Sequence, residues 1–150
     1  MNSELFVFFF IFIIFSPRHR AMFSHEKLIA YQRAIAFVAW TQPLIEGLPR
    51  VAVRDQLDRA STSIPLNLAE GNVKFSTADR ARYLQIAQGS TAECAACLDV
   101  LVARKLAEME MAVVGKALLE EIARLLAGLL DRLGYRFDEG SARVREDEPL

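Results

Sequence analysis

The chain has 150 residues, 53% of them apolar, with only 7 Gly and 5 Pro; that is enough for one globular domain with a substantial core, and too hydrophobic for a disordered chain. Eighteen Lys and Arg stand against nineteen Asp and Glu, a net charge of −1, which excludes the global basic field that marks many nucleic-acid binders, so any contact with RNA or DNA has to be local. Cys94 and Cys97, the only cysteines, lie three apart in a helical pattern and cannot close a useful loop, which argues against a secretory disulfide framework and for a reducing, cytoplasmic setting.

Residues 1–21 differ in composition from everything after them. Residues 5–15 (LFVFFFIFIIF) are an unbroken run of eleven apolar residues, whereas a helix crossing a bilayer needs about 20. Glu4 precedes the run and Ser16-Pro17-Arg18-His19-Arg20 follows it, the reverse of an export signal's charge order. Two readings stay open: a weak membrane-associated segment, or sequence upstream of a true start at Met22. The second is favoured, because an orderly domain begins at once after Met22, with Ser24 placed to cap a helix.

From residue 24 to about residue 47, Leu28, Tyr31, Ile35 and Val38 recur at threes and fours, the period of one helix face. Pro43 disturbs the last turn, and Gly47-Leu48-Pro49 ends this first helix. The short connection predicts that helix two, about 51–73, runs back antiparallel. Pro65 removes a backbone hydrogen bond there and predicts a kink near Ser61 to Ser63 rather than an end. Gly71 and Asn72 weaken the helix, and Ser76-Thr77-Ala78-Asp79 supplies a capping serine with an acid three residues on, which starts helix three. Its period runs through Tyr83, Ala87, Ser90, Cys94, Cys97 and Leu101. Gly71 and Gly89 are assigned as places of close packing.

Helix four, about 108–133, carries Met111, Val114, Leu118, Ile122, Leu125, Leu129 and Leu133 in register and stops at Gly134. Leu119, Leu126 and Leu130 lie beside that stripe and leave only Lys116, Glu120, Arg124 and Asp131 as a polar strip. A helix this widely apolar is covered on more than one side, and the expected extra cover is another subunit. The domain is thus read as residues 22–134, an all-α, up-down antiparallel four-helix bundle, followed by a polar acidic tail at 135–150.

Helix two also carries a polar stripe. Gln56, Arg59, Ser63, Asn67 and Glu70 fall on one face beside the apolar row of Leu57, Ala60, Ile64 and Leu68. The leading reading is a structural polar seam; the other is a ligand or RNA site. In the structural reading Arg59 and Glu70 are buried or half-buried, each meeting its opposite charge on helix three or on a neighbouring subunit, with Glu93 the partner of Arg59.

Catalytic and metal readings find little footing. His19 and His25 are the only histidines, so neither a ferritin-like dimetal centre nor a Ser-His or Cys-His arrangement can be assembled on helices two to four. The CxxC pair lies about fifteen residues into its helix, away from the N-terminus that would activate a thiol, and no second pair completes a zinc site. Both cysteines are read as core thiols. Gly71, Gly89 and Gly115 are isolated and make no phosphate loop. No cofactor, metal or small-molecule substrate is expected, and no enzyme activity. For nucleic acid the candidate contacts are Arg50, Arg54, Lys74, Arg80 and Arg82, near the two connections; Trp40 and Tyr31 are read as core or interface anchors rather than stacking platforms.

The stretch QLDRASTSIPLNLAEGN (56–72), with YLQIAQGSTAECAACLDV (83–100) and LIAYQRAIAFV (28–38), resembles the four-helix bundle family encoded by intervening sequences of bacterial 23S ribosomal RNA genes. The likeness runs from about residue 22 to residue 133. Gln56, Arg59, Ser63, Ile64, Pro65, Asn67, Glu70, Gly71, Gly89, Ser90 and Glu93 match the family's shared signature, which is not an established active or binding site. The resemblance implies antiparallel bundles that assemble as a homopentamer. It also implies kinship with the accessory variability determinants of diversity-generating retroelements, which bind nucleic acid and a reverse transcriptase through a basic surface. Residues 27–105 hold ten basic and seven acidic residues, a balance of +3, and residues 106–150 hold six and ten, a balance of −4, so the strongly basic shell of that related group is absent. The sequence therefore supports a non-enzymatic, self-associating scaffold or accessory protein with a protein or RNA partner, and as the alternative an RNA- or DNA-binding factor that works with a nucleic-acid enzyme.

Overall fold

The computed structural model describes residues 23–135. The expectations for the N-terminal apolar run and for the acidic tail beyond Tyr135 lie outside those residues. A short 3-10 turn, Ser24–Lys27, leads into four helices: α1 (Ile29–Gly47), α2 (Ala52–Asn72), α3 (Thr77–Ala103) and α4 (Met109–Arg132). Each helix packs against its neighbours in the order α1, α2, α3, α4 and back to α1, with the most extensive interface between α2 and α3.

Cross-helix pairs show the direction of each. Ser63 meets Ser90 and Gly71 meets Tyr83; Arg33 meets Glu121 and Trp40 meets Gly115; Ile45 meets Arg54 and Ser24 meets Asn72. In every set one number rises as the other falls, so adjacent helices run antiparallel, as connections this short require. α2 continues through Pro65, which is buried.

The helix ends follow local chemistry. Ser76 caps α3: its Oγ accepts from the Asp79 N–H at 3.0 Å and donates to the Asp79 carboxylate at 3.0 Å. Gly134, at φ +85°, closes α4, with the Tyr135 N–H donating to Leu130 O at 3.0 Å. The same motif ends α3, where Leu106 N–H donates to Leu101 O at 2.8 Å, but the left-handed position is held by Lys105 at φ 56°. A non-glycine there is strained. Arg54 Nε donates to Ile45 O at 3.1 Å and so satisfies one of the carbonyls left open at the end of α1. Ser24 does not cap a long helix: it opens the 3-10 turn and its hydroxyl accepts from Asn72, while α1 starts after Leu28 without a side-chain cap.

The core rows differ from those expected in α1 and α4. In α1 the buried residues are Ala30, Ala34, Phe37, Thr41 and Ile45, together with Ala36; Leu28, Tyr31, Ile35 and Val38 are only half-buried. In α4 the buried row is Ala112, Gly115, Leu119, Ile122, Leu126 and Leu130, while Leu118, Leu125, Leu129 and Leu133 form a half-buried flank and Met111 and Val114 are exposed. Periodicity counted the large side chains; helices approach most closely where the side chains are small, so Ala and Gly take the centre of the contact. Ile122 alone belongs to both the expected row and the core. Full burial of Phe37, Leu57, Ile64, Leu68, Leu98 and Leu126 contributes about 1.5–3 kcal/mol for each side chain removed from water.

Candidate functional site

The polar stripe of α2 meets α3 in two linked groups. In the first, half-buried, Ser90 Oγ donates to Ser63 Oγ at 2.8 Å, and Asn67 Nδ2 donates to Ser63 Oγ at 3.0 Å and to Ser63 O at 2.8 Å. In the second, near the surface, an Arg59 guanidinium nitrogen donates to Gln56 Oε1 at 2.5 Å, and Gln56 Nε2 donates to the Glu93 carboxylate. The structure thus brings Gln56, Arg59, Ser63, Asn67 and Glu93 together and adds Ser90, whose hydroxyl carries the cross-helix bond. Ser90 was legible in the sequence as a signature residue in the period of helix three, but not as a member of the seam.

Two expectations about this stripe need correction within the single chain. Arg59 and Glu70 are both exposed. Arg59 reaches Glu93 only through Gln56, and Glu70 pairs with Lys74 on the adjoining turn at 2.5 Å instead of with helix three. Both lie at the solvent-exposed edge of the stripe, where water solvates a charge better than the bundle can. Glu70 holds the Lys74 ammonium pKa up, and the ammonium also lies 5.1 Å from the centre of the Tyr83 ring.

The five basic candidates do not converge. Arg50 and Arg54 stand at the α1–α2 connection and Lys74, Arg80 and Arg82 at the α2–α3 connection, the two ends of a 21-residue helix about 30 Å long. Arg54 and Lys74 are engaged by Ile45 O and Glu70. Numbers along the chain placed them all near connections; antiparallel packing puts consecutive connections at opposite ends.

Cys94 and Cys97 are buried. Burial pushes the Cys94 thiol up to about 12, with Cys97 and Glu93 adding to the effect, and burial followed by Glu93 raises Cys97. A thiol shifted this way is the opposite of an activated nucleophile. Among the described residues no group of three or more His, Cys, Asp or Glu is placed to hold a metal ion.

The glycines divide. A Cβ on Gly71 would sit 2.9 Å from the Tyr83 Cβ, so this glycine does let α2 and α3 approach. Gly89 does not serve close packing among the described residues: none of them lies within 4 Å of its Cβ position. It opens instead onto a groove of about 1160 Å³ between α3 and α4, lined in part by Ala92, Ala95, Ala112, Val113 and Ala117. Gly115, not assigned a packing role from sequence, is the tightest position: its Cβ would lie 2.5 Å from the Trp40 ring and 2.7 Å from Leu98. Trp40 stacks on Phe37 at 5.7 Å, which makes it the core anchor expected.

Around this geometry the comparisons fall into place. The family model described as 23S rRNA-intervening sequence protein matches residues 26–128. A crystal structure from Bacteroides thetaiotaomicron VPI-5482, described as a protein with unknown function from the S23 ribosomal protein family, superposes with a TM-score of 0.65 at 23% identity, covering 68% of this chain and 98% of that one. At that identity the likeness is one of fold. No curated protein matches the chain at a significant level.

Proposed function

The chain belongs to the 23S rRNA-intervening sequence protein family, and on that footing we propose that it is a non-enzymatic, self-associating four-helix bundle acting in the cytoplasm as a scaffold or accessory binding protein. The observation that carries this reading is α3. It is long and apolar enough by length and composition to pass for a membrane span, yet its outward face, with Gly89, Ala92 and Ala96, and the α4 edge beside it, with Met109 and Val113, are left uncovered by the described residues. Small apolar residues left on the outward face of a helix, beside apolar side chains of its neighbour, favour a further packing partner there. Five copies is the number that the family resemblance implies, in a closed ring.

The polar residues support a structural role. The seam's amides and hydroxyls are taken up in bonds between α2 and α3, and the thiols are held protonated by burial, so the groups that could do chemistry are engaged in holding the bundle. No cofactor or small-molecule substrate enters this reading; the partners are further copies and a protein or RNA.

Sedimentation velocity of the full chain tests it, with a discrete species of about five protomers expected and a monomer across the accessible concentrations as the contrary result. Titration with single-stranded RNA at two ionic strengths separates the nucleic-acid alternative. A scaffold shows weak binding, whereas a dedicated RNA-binding factor shows tight binding whose log affinity drops linearly with log salt. With the basic residues split between two ends of the bundle, the first result is expected.

A further inference from the structure

Within the self-association reading, we propose that the α3–α4 groove of one copy receives the α2–α3 seam edge of the next, with Leu66 and Ile86 over Gly89 and with Arg59 beside Glu120. The two surfaces flank α3 on neighbouring sides of the bundle, so the contact joins unlike faces and repeats around a ring.

Shape comes first. The groove is floored and walled by small side chains, and at Gly89 there is open space where a side chain would be. On the adjoining side Leu66 is 63% exposed and Ile86 41% exposed. Leu66 stands level with the Ile86 turn of α3, because the Ser63–Ser90 bond pairs the helices in opposite directions and places Leu66 opposite Ala87 in height. One surface offers a ridge and the other a depression of matching, apolar character.

Charge agrees with shape. Among the described residues Arg59 reaches an amide oxygen and no carboxylate, and Glu120 lines the groove. Neither forms an ion pair among the described residues.

Height along the bundle decides the register. Rotation about an axis parallel to the helices leaves heights unchanged, so a ring can join only residues that already stand level. Counted from Ser63–Ser90, Arg59 stands level with Cys94 of α3. Counted from Lys116–Asp99, Glu120 stands level with Ala95. One residue of helix is about 1.5 Å, well within the reach of either side chain. By the same count Leu66 stands two residues from Gly89, within one turn. Shape, charge and height thus each fit a second copy as the occupant. A lipid cover fits less well, because Glu93 and Asp99 are exposed at the rims of the same α3 face and a carboxylate inside hydrocarbon is costly.

A charge swap on the full-length protein tests the assignment. Arg59→Glu and Glu120→Arg, each alone, are expected to weaken assembly by about tenfold in dissociation constant, and the double variant to return to within about threefold of wild type. Ala92→Lys, which fills the groove at a position exposed in the single chain, is expected to yield monomers with unchanged helicity by circular dichroism. An assembled wild type whose single variants assemble equally well, or whose double variant is no better than the singles, overturns this face assignment and leaves self-association standing. A wild type that stays monomeric overturns the self-association reading itself, and a chain found only in the membrane fraction both with residues 1–21 and without them assigns the α3 face to lipid.

Discussion

Gly115 is where packing and helix propensity oppose each other most directly. Replacing it with Ala removes a glycine from the interior of α4, which by propensity alone stabilises by about 1 kcal/mol. The new methyl would lie 2.5 Å from Cη2 and 2.7 Å from Cζ3 of Trp40, and 2.7 Å from Cδ1 of Leu98, against the roughly 3.5–4.0 Å at which carbon atoms rest. The shortfall is about 1 Å on two sides. Trp40 is a rigid ring stacked on buried Phe37, and Leu98 is itself buried, so neither can swing into water; α1 and α4 have to separate, at an overpacking cost of about 1–3 kcal/mol or more. With clashes against two side chains the cost falls at the upper end of that range, about 2–3 kcal/mol, which leaves a net loss of about 1–2 kcal/mol and a melting temperature lower by roughly 3–5 °C per kcal/mol for a domain of this size. Gly128→Ala is the control. It lies on the same helix with nothing within 4 Å, and should gain about 1 kcal/mol. Thermal and urea melts of the two variants and wild type decide it: a Gly115→Ala protein that melts at or above wild type, while Gly128→Ala behaves as stated, shows that Trp40 yields and that the close approach of α1 and α4 is not a requirement of the fold.

The thiols set a pH limit and a reactivity. Because burial raises Cys94 from an ordinary value of 9.0 to about 12, both folded and unfolded chains keep that proton below pH 9, while between pH 9 and 12 only the unfolded chain loses it; stability should therefore fall as pH rises through that window, and a flat urea midpoint there would contradict it. Alkylation of Cys94 and Cys97 at pH 8 should be slow in the native protein and fast in urea. Lys105→Gly should raise stability by about 0.5–1 kcal/mol by relieving the left-handed backbone at the end of α3, an effect that Lys105→Ala should not reproduce. Ser76→Ala should cost about 1 kcal/mol through loss of the α3 cap, measured by chemical denaturation. A chain beginning at Met22 should keep its helicity and melting temperature, since the described residues between 30 and 130 already form one continuous buried core; loss of folding would assign residues 1–21 a structural role.

Periodicity and stop signals were enough to place four helices, because caps and breakers act within a turn of the residue that carries them. Ser76 with Asp79, Gly134, and the Gly47-Leu48-Pro49 stop behave in the structure as they read in the chain. The signature around Pro65 likewise identified the family without any coordinates. What the sequence by itself left undecided were properties of pairs. Which side of α1 and α4 faces inward depended on how closely two helices can approach, and this favoured Ala34, Ala112 and Gly115 over the larger Tyr31, Val114 and Leu118. The charge partners of Arg59 and Glu70 depended on which way each side chain leaves the helix, and the five basic candidates were divided by the antiparallel turn that separates consecutive connections. Gly89 shows the limit most plainly: a glycine in mid-helix signals an approach by something, but only the folded chain showed that none of the described residues fills the space above it. Local hydrogen bonding and hydrophobic period act over a few residues and can be read in order, whereas burial, distance and charge pairing are set between residues far apart in the chain and exist only once the helices are packed.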